Sequence, residues 1–495
     1  MRSRIGAMSD RVASSPFPDP GGRELILRAS GYSRRRFLRR LGYGTLGGVI
    51  ASALGRSRLS PCSSLLWTSW RQPAHTGADL PSSDRALLLR LQRQALCYFL
   101  DNQVSGGLVL DRQRNHGPRH RDGLCSTAAT GMGLIALALA AAPPYRLLTP
   151  GAAALRVRAC LQTALGHLPH DHGVVPHFVH SATGAVYGTD YFSTVETSWL
   201  AAGALWAAAS LRDAELERLA MRLYERIDWQ YWTDPEGRGV AGLLRHGKAR
   251  GGRFLPCRWD RLNGETAFMY VLAAGAVKGR ALSRASWSAL RPYYGTVAGL
   301  RFNNADLGLF VFQYGLDLLD LAAWRPPGEV DLEAEAAIAA EANRRACWER
   351  ADTFRTYRRF WGLSAGHGPG ASGARLAYIC HSPAGPIDGT AHLTATLASA
   401  ARHPAAVLEN VQQALRDRSL GALGRYGLSS VNLDRGWVGP DMIGIDAGAA
   451  VPALDNLLMA GRVRAVFYQV GCVRTGCERL GFVPRLRRPP PPPRG

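Results

Sequence analysis

Residues 126–141 read STAATGMGLIALALAA, and inside them Leu134-Ile135-Ala136-Leu137-Ala138-Leu139-Ala140 is apolar around the whole circumference of a helix. A helix without a polar face must be covered on all sides, so this stretch predicts an inner element wrapped by an outer layer. Upstream, Leu88, Leu91, Ala95 and Tyr98 recur at helical spacing behind the cap candidates Ser83 and Asp84. Downstream, the same reasoning predicts helices over Ala152–Leu168, Thr194–Ala209, Asp213–Ile227, Glu265–Val277, Leu332–Arg350, Ala391–Arg402 and Pro404–Arg416. Loops rich in Gly, His and aromatic residues separate them, with room for short hairpins but no run of alternating strand patterns. The expected fold is therefore all-α, with about a dozen helices paired into an (α/α)6 toroid and a loop-built cleft at one end.

The 495 residues carry a formal charge of +22, which the ends inflate. Residues 1–53 hold ten Arg against three acids, and residues 483–494 add four Arg. No basic stripe interleaves with aromatics in the way a nucleic-acid strand requires, so no nucleic-acid partner is expected. The nine Cys are scattered without CxxC or finger spacing, which argues against a zinc site or a disulfide framework. Five His between His167 and His180 crowd one loop, but they lack partners at ligand spacing apart from Asp171. No metal and no cofactor are expected, since a Gly-rich nucleotide loop is also missing.

The N-terminal region reads as an address. Ser33-Arg34-Arg35-Arg36-Phe37-Leu38 leads into a short Gly-rich apolar stretch, Leu41 to Leu54, and Ala51-Ser52-Ala53 supplies small residues for cleavage. These features predict a twin-arginine signal over 1–53, with the translocase as partner and a periplasmic or secreted destination. Residues 54–81, with Trp67 and Trp70, read as a linker, 82–482 as the folded domain, and 483–495, with Pro489 to Pro493, as a Pro/Arg-rich tail. No stretch reaches the roughly 18 continuous apolar residues of a membrane span, so no anchor is expected in the mature chain.

Ordered segments from Gly107 to Phe467 resemble one family. They begin with Gly107-Leu108-Val109-Leu110-Asp111-Arg112, Ser126-Thr127-Ala128-Ala129-Thr130-Gly131, His172-Gly173 with His177-Phe178, and Ser193-Thr194-Val195-Glu196-Thr197. Asn263-Gly264-Glu265, Phe310 to Tyr314, Trp361-Gly362-Leu363-Ser364-Ala365 and Ile387-Asp388-Gly389-Thr390 follow. Tyr426-Gly427, Asn432, Trp437 and Ile443-Gly444-Ile445-Asp446 close the series. Together they are similar to the glycoamylase-like glycoside hydrolases, a group that includes endo-β-1,2-glucanases and the cyclising domain of cyclic β-1,2-glucan synthases. Two segments depart from the family pattern. Its Pro after DGT gives way to Ala391-His392-Leu393, and its IDQGP reads Ile445-Asp446-Ala447-Gly448-Ala449.

Hydrolysis of a glycosidic bond needs one carboxylic acid for the leaving oxygen and one carboxylate that activates water or attacks carbon. Glu196, Glu265, Asp388 and Asp446 each lie where a loop enters a predicted helix or turn. Acids also favour helix N-termini for electrostatic reasons, and Ser193-x-x-Glu196 spells a capping box. Asn263 can cap the helix behind Glu265 without help, which frees that carboxyl to sit beside apolar neighbours that would raise its pKa. The resemblance implies that Glu265 is the catalytic glutamate and that Glu196 stands in the cleft. Asp388, in an Asp-Gly turn, and Asp446, read as lying in a similar tight loop, both qualify as the second carboxylate.

Tyr314, Trp361 and Trp437 could stack on sugar faces or fill the core. Arg112 beside Asp111 could bond sugar hydroxyls or form a solvent-facing ion pair. His177 and Asn432 complete the candidate substrate contacts. The function expected is hydrolysis of a β-linked glucan, with β-1,2-glucan first. An inactive glycan-binding toroid, suggested by the departures, and a polysaccharide lyase on an anionic polymer are the alternatives.

Overall fold

The computed structural model describes residues 79–484 apart from 121–122, 189, 234–241 and 371–375. The twin-arginine stretch, its cleavage site, the linker up to residue 78 and the tail from residue 485 lie outside the described residues.

The described chain is mostly helical. In order it forms α1 (Ser82–Asn102), α2 (Thr127–Ala141), α3 (Pro150–Gly166), α4 (Thr194–Leu211), α5 (Ala214–Glu225), α6 (Gly264–Gly275) and α7 (Arg284–Ser288). Then come α8 (Leu332–Trp348), α9 (Leu393–Leu397), α10 (Pro404–Arg416), α11 (Gly444–Leu458), α12 (Arg462–Phe467) and α13 (Gly471–Leu480). A 3₁₀ turn at Leu309–Phe312 stands between α7 and α8.

The packing order follows from which helices have a polar face. Residues 127–140 of α2 and 194–208 of α4 are buried without a break, and the two helices pack directly on each other. From there α4 packs on α6, α6 on the 3₁₀ turn, the turn on α9, α9 on α11, and α11 back on α2. The contacts therefore return to their start. An outer layer covers this cycle: α1 lies against α2 and α11, α3 against α2, α5 against α4, α13 against α6, α8 against the 3₁₀ turn, and α10 against α9. The polar residues of α5 and α10 mark these helices as two-faced.

Short two-stranded pairs deliver the chain to the inner helices. Leu124–Ser126 pairs with Phe178–His180 ahead of α2, Tyr191–Ser193 with Gly247–Ala249 ahead of α4, and Arg112–Arg114 with Asp441–Ile443 ahead of α11. Main-chain pairing here fixes the direction from which each helix begins.

Three expectations need correction. The helix read over 391–402 is regular only at α9. Beyond it the chain tightens into turns, with Ser399 N bonded to Thr396 O and Ala400 N to Leu397 O, while Gln313 Nε2 takes the Ala395 carbonyl at 2.7 Å. Asp446 does not lie in a tight loop: it is the third residue of α11. Ser193 does not cap α4, because its hydroxyl is given to the Glu196 carboxylate. By contrast Asn263 caps α6 as expected, its side chain accepting from Thr266 N at 2.9 Å and its N–H meeting the Thr266 hydroxyl at 3.0 Å.

The eight described cysteines are all free, and five of them are buried. Among the described residues no helix is long and apolar enough to cross a membrane. No group of three or more His, Cys, Asp or Glu stands where it could hold a metal ion, again among the described residues.

Candidate active site

All four predicted acids stand at the N-terminal end of the inner cycle. Glu196 is the third residue of α4, Glu265 the second of α6 and Asp446 the third of α11, while Asp388 lies in the loop before α9. Helix N-termini offer unpaired N–H groups and positive potential, so a cleft at this end suits anionic side chains and developing negative charge.

Their surroundings differ. Glu196 is fully buried, tied to the Ser193 hydroxyl and 3.6 Å from His177 Nε2. His177 is itself buried, stacks against Phe178 and reaches toward Asp190 at 3.5 Å. The pair fastens the chain at the head of α4. Glu265 is 6% exposed, and the Trp199 indole N–H points at its Oε1 from 3.4 Å. Trp199 meets Tyr314 edge-on, and the Tyr314 hydroxyl faces Asp446 Oδ1 at 3.4 Å. Glu265 and Asp446, on helices that do not neighbour each other in the cycle, are thus joined through two aromatic side chains.

Asp388 has a third kind of environment. Its Oδ1 accepts from the Thr390 N–H and meets His381 Nε2, both at 2.9 Å. Burial opposes ionisation, but the His381 contact and the Thr390 bonds outweigh it and hold the carboxyl down at about 2.

The substrate-binding candidates separate as well. Asp111 is buried and ion-paired with Arg112 at 3.0 Å, and Arg112 Nη1 also meets His367 Nε2 at 3.0 Å. These three side chains, with Phe178, Tyr378, Ile443 and Ile445, surround a cavity of about 20 Å³, room for about one water. Asn432 is wholly buried and braces the Asp388 loop, its amide donating to the Asp388 carbonyl at 2.9 Å and meeting the Thr390 hydroxyl at 3.1 Å. Trp437 pairs with Asn432 in the hairpin register and is half-buried. Trp361 belongs to the core instead: it is 2% exposed and its indole donates to the Ala406 carbonyl of α10 at 3.1 Å. An aromatic side chain so enclosed cannot offer its face to a sugar.

Sequence reasoning missed Trp199, His367, His381 and His392. Trp199 had a signal, since it stands three residues after Glu196 on one helical face. His381 and His392 flank Asp388 in sequence, but only the fold shows that their rings meet.

Residues 256–470 match the family model described as "Putative glucoamylase", and the resemblance to the glycoamylase-like family read from the ordered segments holds. The fold is shared with a "putative glucoamylase" from Bacteroides caccae ATCC 43185, at 20% identity and a TM-score of 0.71 over 81% of this chain and 100% of that one. It is shared also with the endo-β-1,2-glucanase of Chitinophaga pinensis in complex with sophorotriose and glucose (18% identity, TM-score 0.71, 81% and 99% covered). The endo-β-1,2-glucanase of Talaromyces funiculosus is more distant, at 13% identity and a TM-score of 0.54 over 81% and 90%. No curated protein matches the chain in sequence.

Proposed function

We propose that the protein is an exported glycoside hydrolase acting on a β-linked glucan, with β-1,2-glucan as the substrate to test first. The observation that carries this reading is the linkage of Glu265 to Asp446 through Trp199 and Tyr314. In this reading Glu265, buried among aromatic neighbours, protonates the leaving oxygen, and Asp446, more open to solvent, is the second carboxylate. Glu196 is too deeply enclosed to reach a sugar, and the Asp388 carboxyl is already engaged by His381 and the Thr390 N–H. Arg112 and Trp437 form walls for the glycan, and the returning cycle of inner helices supports an (α/α)6 toroid whose mouth holds the cleft. The twin-arginine segment would send the folded enzyme to the periplasm or beyond.

Incubating the purified protein with β-1,2-glucan and measuring reducing ends tests the activity. New reducing ends that disappear with Glu265→Gln support hydrolysis. Binding without cleavage would favour a glycan-binding role, and an unsaturated product absorbing in the ultraviolet would favour a lyase.

A further inference from the structure

Beside the proposed carboxylate pair lies a file of hydrogen bonds that hydrolysis leaves unused. Asp388 Oδ1 meets His381 Nε2, His381 Nδ1 meets His392 Nε2, and His392 Nδ1 meets the Ser430 hydroxyl, each at 2.9 Å. Both imidazoles are at most 2% exposed, whereas the Asp388 side chain keeps 32% of its surface open.

With both rings neutral, donor and acceptor chemistry gives the file one direction. A carboxylate only accepts, so the proton of His381 sits on Nε2. The Nδ1 of a neutral His381 is then an acceptor, and His392 must donate to it from Nε2. That leaves His392 Nδ1 to accept from the Ser430 hydroxyl. With both rings neutral, no other pair of tautomers satisfies all three contacts. Burial pushes the pKa of His392 well below the usual histidine range, in keeping with a neutral ring.

The open end of the file lies in the loop that enters α9, at the end of the inner cycle where the other acids stand. A Cβ added at Gly368 would lie 3.5 Å from Asp388 Oδ2, which puts Asp388 on the Gly366 and Gly368 face of strand 365–369, opposite the His367 face that lines the small cavity with Arg112 and Asp111. Among the described residues, His381, Tyr357 and Asp434 lie close to Asp388, while His367 acts on His392.

We propose that His381, His392 and Ser430 are positioning residues that hold the Asp388 carboxylate as a fixed, ionised acceptor for sugar hydroxyls at the mouth of the inner cycle. Asp388 then selects the glycan while Glu265 and Asp446 break the bond, so this inference rests on the hydrolase reading. A fixed anion favours neutral sugars with free hydroxyls and repels a uronan. Asp388 thereby works against acidic polymers despite the basic composition of the chain.

The test compares His381→Phe, His381→Gln and Ser430→Ala with the wild type. Gln can donate from its amide where imidazole Nε2 did; Phe cannot. Loss of one such bond corresponds to about a threefold to tenfold change in binding. His381→Phe is expected to raise KM for β-1,2-glucan by about that factor with a smaller change in kcat, and His381→Gln to recover most of it. Ser430→Ala, at a half-buried position that can be truncated without emptying the core, is expected to raise KM by about twofold to threefold. Carbon-13 NMR of the Asp388 carboxyl supplies a readout that needs no turnover: its titration should move up in His381→Phe and return in His381→Gln. If wild-type protein cleaves no glucan but the titration moves as stated, the hydrolase reading falls and the positioning role stands. Unchanged titration in His381→Phe overturns the positioning role whatever the activity.

Discussion

The Tyr314 hydroxyl lies 3.4 Å from Asp446 Oδ1, although 132 residues separate them in the chain. Tyr314 follows the 3₁₀ turn and Asp446 sits in the first turn of α11, so the contact spans the mouth of the inner cycle. A hydroxyl at that place can orient the carboxylate without competing for its proton. Asp446→Asn is expected to lower kcat by about 10² to 10⁴, the usual contribution of acid–base groups. Tyr314→Phe should cost about tenfold, one hydrogen bond to a charged group, with KM little changed. Steady-state kinetics on β-1,2-glucan would measure both, and an Asp446→Asn enzyme of wild-type kcat would remove Asp446 from the mechanism.

Glu265 and Trp199 make a second coupled pair. Because the indole N–H points at Glu265 Oε1, Trp199→Phe removes a donor that favours the ionised form of the acid. The basic limb of the kcat/KM profile should therefore move to higher pH in Trp199→Phe, while Glu265→Gln should lose about 10² to 10⁴ in kcat. A Trp199→Phe profile that coincides with wild type would show that the contact does not tune Glu265.

Three buried histidines set the acid tolerance of the fold. Burial, reinforced at His367 by Arg112, holds His367 down at about 3; burial also holds His246 at about 3, outweighing the Arg258 carbonyl and Glu196. His392 is likewise pushed well below its usual range. Each is neutral in the folded protein and gains a proton on unfolding below about pH 6.5. Their contribution is present above that value and is lost as pH falls from about 6.5 toward 3. At pH 5 the loss is up to about 2 kcal/mol each for His367 and His246. Urea denaturation at pH 7.5 and pH 5 should show this, and His367→Gln should flatten the dependence. A stability independent of pH over that range would refute the assignment.

The same residues explain how far the sequence could be read. Helix α2 was legible because an apolar circumference over residues 134–140 admits one environment, and α6 because Asn263 marks its start. Helix α11 was not, since Gly444, Gly448 and Pro452 look like breakers. In the fold the glycines serve close packing: a Cβ at Gly444 would lie 2.8 Å from the Ala129 Cβ, and one at Gly448 2.3 Å from the Met132 sulfur. Trp361 was ambiguous for a related reason, because an aromatic residue in a loop segment gives no sign of which helix will cover it. The four acids were singled out from local pattern, but their division of labour depends on partners 3 to 132 residues away, Ser193, His381, Trp199 and Tyr314 among them.

Export is open to a direct test. Replacing Arg34, Arg35 and Arg36 together by Lys keeps the charge but removes the paired guanidinium groups of the signal. Uncleaved precursor should then accumulate in the cytoplasm, while the unaltered chain should appear outside it with Leu54 at its N-terminus. Cell fractionation with N-terminal sequencing would decide, and undiminished export of the triple variant would exclude the twin-arginine route.

The last prediction ties core packing to the acid. Helices α2 and α4 approach so closely that a Cβ at Gly131 would lie 2.1 Å from the Trp199 carbonyl oxygen, and one at Gly203 1.9 Å from the Gly131 carbonyl oxygen. Both contacts are with backbone, so a methyl group is accommodated only if the helices separate. Gly131→Ala should therefore cost about 1–3 kcal/mol in stability, as overpacking does elsewhere. Because the displaced residue is Trp199, the cost should not stop at stability: its indole would move relative to Glu265, and kcat should fall in protein that is still folded. Gly151→Ala, at a position with nothing within 4 Å, is the matched control and should stay within about 0.5 kcal/mol of wild type in thermal or chemical denaturation. If Gly131→Ala lowers stability but leaves the kinetics of the folded fraction untouched, the helix crossing supports the fold alone and Trp199 does not carry its geometry to the acid.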